Sequence, residues 1–193
     1  KDFSLVVVDA RRGIGNGYSI PAGPMRARLS TQLLRASAVL IIGDAPGAAT
    51  IIRAAARRAL PILEARQRAL QPEQFNDLKA LAFAGIADPQ KFYSSLEQSG
   101  AEIVEKRSFD EHHRLTDEEC EDLLQMSERG NLQLVTTEKD AARLRQSGEI
   151  QTLLYRKSKI LKIELEFENN RLVDSMIESA IEAAREARIR RAA

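Results

Sequence analysis

Two adjacent histidines, His112 and His113, are the only imidazoles in the 193 residues, and they follow an apolar-containing run that ends at Phe109. Placed after a strand, they sit on the loop edge where α/β proteins build their sites. Neighbours in sequence point apart on most backbones, and two histidines do not complete a metal site without carboxylates. A general base or a phosphate-orienting group fits the pair better, and a plain surface pair is the alternative. Arg26 ends the turn Pro21-Ala22-Gly23-Pro24-Met25. Its planar fork matches phosphate oxygens, so it is read as a phosphate clamp or as an ordinary surface arginine. Asp9 closes the apolar run Leu5–Val8. It is either an acid of the Walker-B kind or the cap of the loop that follows. That loop holds Gly13, Gly15, Asn16 and Gly17, and its glycines permit positive φ and close approach to a ligand. It lacks the third glycine of a dinucleotide fingerprint. Thr137-Glu138-Lys139-Asp140 resembles a capping pair at a helix start; capping is one reading of it, and a phosphate contact through Lys139 is the other.

The elements that must position these groups alternate between strand runs and helix-period segments, the pattern of an α/β protein with a mostly parallel sheet. Strands are predicted at Leu5–Asp9 and Ala38–Gly43, and a helix around Ala48–Ala59. Pro61–Leu70 alternates apolar and polar residues, as a half-exposed strand does. Lys79–Ala84, Glu102–Phe109 and Leu132–Thr136 read as further strands. The helices between and after them open at Asp88-Pro89, at the capping box Thr116-x-x-Glu119, and at Glu138. Ile160–Glu168 alternates with period two and is expected to pair with Pro61–Leu70. The expected domains are therefore residues 1–60, a stalk strand 61–72, a smaller α/β domain 73–158, a second stalk strand 159–169, and a helix 170–193 returning to the first. That helix carries an apolar stripe at Val173, Ile177, Ile181 and Ala184. Its basic end, Arg185 through Arg191, suits the helix dipole or, alternatively, an anionic lipid surface.

The totals bound the function. Twenty-nine basic residues against 28 acidic ones leave a net charge of +1, which gives no global pull toward nucleic acid. The single cysteine, Cys120, excludes an intrachain disulfide framework and suits a reducing compartment. No apolar run reaches the roughly 18–20 residues of a membrane span. The chain begins Lys1-Asp2-Phe3 directly before a strand, as a piece of a longer protein would.

Three segments in one order, VVVDARRGIGNGYSIPAGPMR, LAFAGIADPQKFYSSLEQSGAEIVEKRSFDEHH and LVTTEKDAARL, resemble the tetraacyldisaccharide 4′-kinases of Gram-negative bacteria. The resemblance implies the later half of a P-loop kinase core plus a smaller α/β domain. It implies ATP and Mg²⁺ as cofactors, and an acylated glucosamine disaccharide 1-phosphate lipid as substrate, phosphorylated on its 4′-hydroxyl to give lipid IVA. It places the protein at the cytoplasmic face of the inner membrane. His112 matches the family's catalytic-dyad histidine, Arg26 an active-site arginine, and Gly15, Asn16 and Gly17 the glycine-rich loop. The family's P-loop, its catalytic aspartate and its membrane helix correspond to sequence before Lys1, and no G-x-x-x-x-G-K-[ST] occurs here. The N-terminal half of the kinase is thus an implied partner, and the span alone is expected to be inactive. Two positions depart from the family: Ala27 stands where a glutamate follows the arginine, and Glu111 replaces the aspartate before the histidine. A non-catalytic nucleotide- or sugar-binding module, and a glycosyltransferase-like or oxidoreductase half-domain, are the rival readings.

Overall fold

Along the chain run β1 (Leu5–Asp9), α1 (Leu29–Leu34), β2 (Ala38–Ile42), α2 (Ala49–Ala56) and β3 (Ile62–Ala69). They are followed by β4 (Lys79–Ala84), α3 (Pro89–Gln98), β5 (Glu102–Ser108), α4 (Asp117–Gly130) and β6 (Gln133–Thr137). The last elements are α5 (Glu138–Arg145), α6 (Glu149–Lys157), β7 (Ser158–Leu161), β8 (Ile163–Phe167) and α7 (Asn170–Ala192). This computed structural model describes residues 3–192, with side chains through Ile189. It is an α/β protein of mostly parallel strands flanked by helices, divided into one unit of Lys1–Gln67 with Leu165–Ala193 and another of Arg68–Glu164.

In the first unit the strand order is β1-β2-β3-β8, and β1, β2 and β3 run parallel. The run Ala38-Val39-Leu40-Ile41 is fully buried because both faces of β2 are covered. Val39 and Ile41 pack with Leu33 of α1 and with Ile51 and Ala55 of α2. Leu40 points the other way, joining Leu63 and Ala65 under Phe167, Leu172, Val173 and Met176. Strand β1 is covered less completely. Val8 is buried, whereas Leu5 and Val7 are 38% and 55% exposed. On α7, Val173 packs on the core but Ile177 and Ile181 of the same stripe stay exposed. The side chains of Arg190 and Arg191, part of the basic end, lie outside the described residues.

In the second unit all four strands are parallel in the order β5-β4-β6-β7. The alternation of β4 explains its central place. Ala80, Ala82 and Ala84 are small, so Phe92, Tyr93 and Leu96 of α3 pack closely on that face. Leu81 and Phe83 point to the opposite face, into Cys120, Leu123 and Leu124 of α4. Helix α4 starts with the predicted capping box: the Thr116 hydroxyl accepts from Glu119 N–H, and the Glu119 carboxylate accepts from Thr116 N–H. Asp88 occupies the N-cap position of α3 without accepting the capping hydrogen bond, and Pro89 takes the first helical turn.

One predicted strand is two. Ile160–Glu168 breaks at Lys162: β7 pairs with β6 in the second sheet, and β8 lies beside β3 in the first. A period-two pattern records alternation across a sheet face, and it is silent about which sheet each half joins.

Candidate functional site

The loop after β1 is held by its own residues. Asp9 is the loop cap: its Oδ1 accepts from Arg11 N–H at 2.9 Å and Arg12 N–H at 3.4 Å. The Gly13, Gly15 and Gly17 amides donate in turn to the Asp9, Arg12 and Ile14 carbonyls. Asn16 completes the brace, accepting from Tyr18 N–H at 3.1 Å and donating to the Ala22 carbonyl at 2.9 Å. Gly13 is required twice over, by its φ of +56° and because a Cβ there would overlap the Gly47 carbonyl oxygen. A Cβ on Gly15 would lie 2.7 Å from Pro24 Cγ. These amides are spent on the loop itself, so its chemistry rests with the side chain that the loop and turn present. Arg26 is that side chain, exposed after the buried Met25. Among the described residues it makes no hydrogen bond or ion pair.

The second unit presents a different arrangement. In its sheet the connection after β4 goes to one side and the connection after β5 crosses to the other, so the strand order reverses between β4 and β6. The loops at the carboxyl ends of these strands open at such a reversal, which is where open α/β sheets bind ligands. Here the loop after β4 begins with Gly85, α5 begins immediately after β6, and the β5–α4 loop carries the two histidines. A cavity of about 140 Å³ opens at this edge, lined among others by Phe83, Gly85, Phe109, His113, Asp140 and Arg143.

Asp140 is the buried centre of this edge. Its Oδ2 accepts from Gly85 N–H at 3.1 Å and from the Thr137 hydroxyl at 2.7 Å, while its own N–H donates back to Thr137 Oγ. Arg143, one helical turn on, donates from Nη1 to Asp140 Oδ1 at 3.0 Å and to the Gly85 carbonyl at 3.1 Å. Its Nη2 lies 3.0 Å from His112 Nδ1. His112 itself has a side chain 71% exposed and a backbone φ of +70°. Left-handed backbone is uncommon for a residue with a side chain and gathers at functional sites. Glu111 Oε1 lies 3.6 Å from both His112 Nε2 and Lys139 Nζ.

His113 does a different job. Its ring stacks on Phe109, centroids 5.6 Å apart, and its Nε2 lies 2.8 Å from Glu119 Oε2. Burial would raise the Glu119 carboxyl, but the Thr116 N–H and the His113 ring outweigh it and hold the group below its ordinary value. His113 thus fastens the loop to the start of α4. Cys120 is fully buried, and burial, reinforced by Asp117 and Glu119, pushes its thiol up to about 11. It is no nucleophile at neutral pH.

The chain matches a protein-family model described as Tetraacyldisaccharide-1-P 4'-kinase over residues 1–182. It belongs to that family. Named tetraacyldisaccharide 4'-kinases resemble it closely: that of Agrobacterium fabrum is 42% identical over 93% of this chain, and that of Rhizobium rhizogenes 44% over 98%. The matches cover 52% and 53% of those relatives, so the chain spans about half their length. Among solved structures, a crystal structure of LpxK from Aquifex aeolicus in complex with ATP has the same fold, with a TM-score of 0.53 at 15% identity. That match covers 93% of this chain and 53% of the solved one.

For a tetraacyldisaccharide 4'-kinase family member, the residues singled out by sequence fall into two groups. Asp9, Gly15, Asn16, Gly17 and Arg26 lie in the first unit, His112 and Lys139 in the second. Within the second unit the structure brings His112, Lys139 and the Thr137–Asp140 pair to one sheet edge. Sequence reasoning passed over Arg143 and Gly85. The spacing Asp140-x-x-Arg143 does put both side chains on one helix face, but nothing local says that Asp140 reaches a glycine 55 residues away or Arg143 a histidine 31 residues away. Among the described residues no three of His, Cys, Asp or Glu converge as a metal site.

Proposed function

We propose that this chain is the part of a tetraacyldisaccharide 4'-kinase that supplies His112 and Arg26 to phosphoryl transfer. The reaction moves the γ-phosphoryl group of ATP onto the 4′-hydroxyl of an acylated glucosamine disaccharide 1-phosphate, forming a new O–P bond and releasing ADP and the hydroxyl proton. Membership of the family supports the reaction class. The observation that carries the site is His112: an exposed histidine in left-handed backbone, held from behind by a buried Asp140–Arg143 pair at a sheet edge. In this reading His112 takes part in proton transfer or in orienting the hydroxyl. Arg26 binds a phosphate of ATP or of the lipid, because its exposed fork offers paired donors.

ATP supplies the transferred group when bound. The loop after β1 spends its glycine amides internally and no described cluster fits Mg²⁺, so this proposal assigns the phosphate cradle and the metal ligands to the half of the longer kinases that the chain does not match. The site of action proposed is the cytoplasmic face of the inner membrane, with the basic end of α7 beside anionic headgroups. No described helix is long and apolar enough to cross a bilayer.

The test is transfer from radiolabelled ATP to tetraacyldisaccharide 1-phosphate by the full-length kinase. His112→Ala is expected to lower kcat by about 10²–10⁴-fold with the fold retained, the range for removal of a proton-handling group. Turnover close to wild type in that variant refutes the role. The 193-residue chain alone, run beside it, is expected to give no transfer.

A further inference from the structure

We propose that Arg143 is the positioning residue of His112, fixing both the direction of its ring and which nitrogen carries the hydrogen. The inference rests on the reading of His112 given above and goes one layer behind it. A guanidinium has donors only, and it does not lose its proton in proteins. At 3.0 Å from Arg143 Nη2, His112 Nδ1 is therefore the acceptor, with its lone pair toward the arginine. The neutral ring must then carry its hydrogen on Nε2, the nitrogen that faces away from Arg143. His112 accordingly presents an N–H donor at Nε2, on the side where Glu111 Oε1 lies 3.6 Å away, and not a free lone pair. Such a group orients an acceptor oxygen, whether that of the hydroxyl or of a carboxylate base, and does not itself remove the proton in this arrangement.

Arg143 is suited to this because it is itself immobilised. Its side chain is only 24% exposed, and Nη1 is shared between Asp140 Oδ1 and the Gly85 carbonyl. Asp140, 9% exposed at its side chain, is pinned by Gly85 N–H and the Thr137 hydroxyl. A chain of hydrogen bonds thus runs from the β4 loop through the start of α5 to the imidazole. The whole Thr137-Glu138-Lys139-Asp140 segment has a use beyond capping: it anchors the carboxylate that aims the arginine. Lys139 and Glu111 close the opposite side, with Glu111 Oε1 between Lys139 Nζ and His112 Nε2.

The hydrogen position is directly readable. Long-range ¹H–¹⁵N spectra of the ¹⁵N-labelled 193-residue chain, recorded from neutral to alkaline pH, report which nitrogen of each imidazole is protonated, and His113 is the internal control. The expected pattern for His112 is an unprotonated Nδ1 and a protonated Nε2. Protonation at Nδ1 in the wild-type chain overturns the proposal without any variant. Arg143→Met is expected to average the two tautomers at His112 while His113 keeps its pattern, and Arg143→Lys, which keeps one cationic donor, is expected to restore the wild-type pattern. An unchanged His112 pattern in Arg143→Met also overturns the proposal.

In the full-length kinase, Arg143→Met is expected to lower kcat by about 10²-fold with KM little changed, as misplacement of a positioned group does, and Arg143→Lys to recover most of it. Loss of the pattern with kcat unchanged in both Arg143→Met and His112→Ala refutes the catalytic reading of His112, and an unchanged pattern refutes the hold of Arg143, so the two failures are separate.

Discussion

Arg26 and His112 illustrate two ways in which a residue is made available for chemistry. Arg26 is presented by a turn that is rigid through its own backbone bonds, Ile20 N–H to the Met25 carbonyl and Met25 N–H to the Tyr18 carbonyl. If it clamps a phosphate, geometry matters as well as charge. Arg26→Lys in the full-length kinase is then expected to raise KM or lower kcat about tenfold, and Arg26→Ala more, measured in the same transfer assay. Equal kinetics for Lys and Arg would reduce it to a point charge. His112 is held instead by side chains distant in sequence. This difference decides what was legible: Arg26, His112 and the capping pair of Thr137 and Asp140 could be singled out from local context. Arg143 could not, because its meaning lies in tertiary contacts to Gly85 and His112. The glycine-rich loop was recognisable as a tight turn, but the internal use of its amides was not written in the glycines.

Among the elements, α4 was the most readable and the sheet assignment of the last strands the least. The capping box stood in the sequence at Thr116 and Glu119, and the structure buries Cys120, Leu123 and Leu124 along one face of the helix. Helices α1 and α6 announce themselves poorly, since Arg28 and Gly148 occupy their N-caps and neither supplies a side-chain cap. The split between β7 and β8 was hidden because both halves obey the same alternation.

Glu119 gives α4 a pH-dependent anchor. Its carboxyl is held below its ordinary value in the folded chain, so the contribution is present above the ordinary glutamate range. It is lost as pH falls through the lower folded value. Glu119→Gln keeps a capping side chain but loses the charge. It is expected to cost on the order of 0.5–1 kcal/mol at neutral pH, a small figure because the side chain is 33% exposed, and the gap should close in acid. Urea unfolding of both chains at several pH values measures this. A gap independent of pH would contradict it.

At the scale of the molecule, the first unit leaves apolar side chains open to solvent. Phe3, Leu5 and Val7 near the start, and Ile177 and Ile181 on α7, are each 38% exposed or more. The neighbouring strand adds little to it: Val39, Leu40 and Ile41 are buried between α2 and α7, and only Ile42 is partly accessible. A patch of this kind favours association. Sedimentation of the 193-residue chain is expected to show concentration-dependent self-association, reduced by Val7→Thr with Ile177→Lys. A monomer at every concentration would show that the patch is too small to matter.

The second unit carries its own long-range order in the bond from Gly85 N–H to the buried carboxylate of Asp140. A loop amide ordinarily trades its hydrogen with solvent quickly, whereas this one is buried and donates to a carboxylate on α5. Its deuterium uptake is expected to be as slow as that of the β4 amides beside it, and to quicken markedly in Asp140→Asn while the β4 amides stay protected. The loop would then keep time with the core of the unit, and the clock that reports it is a single glycine.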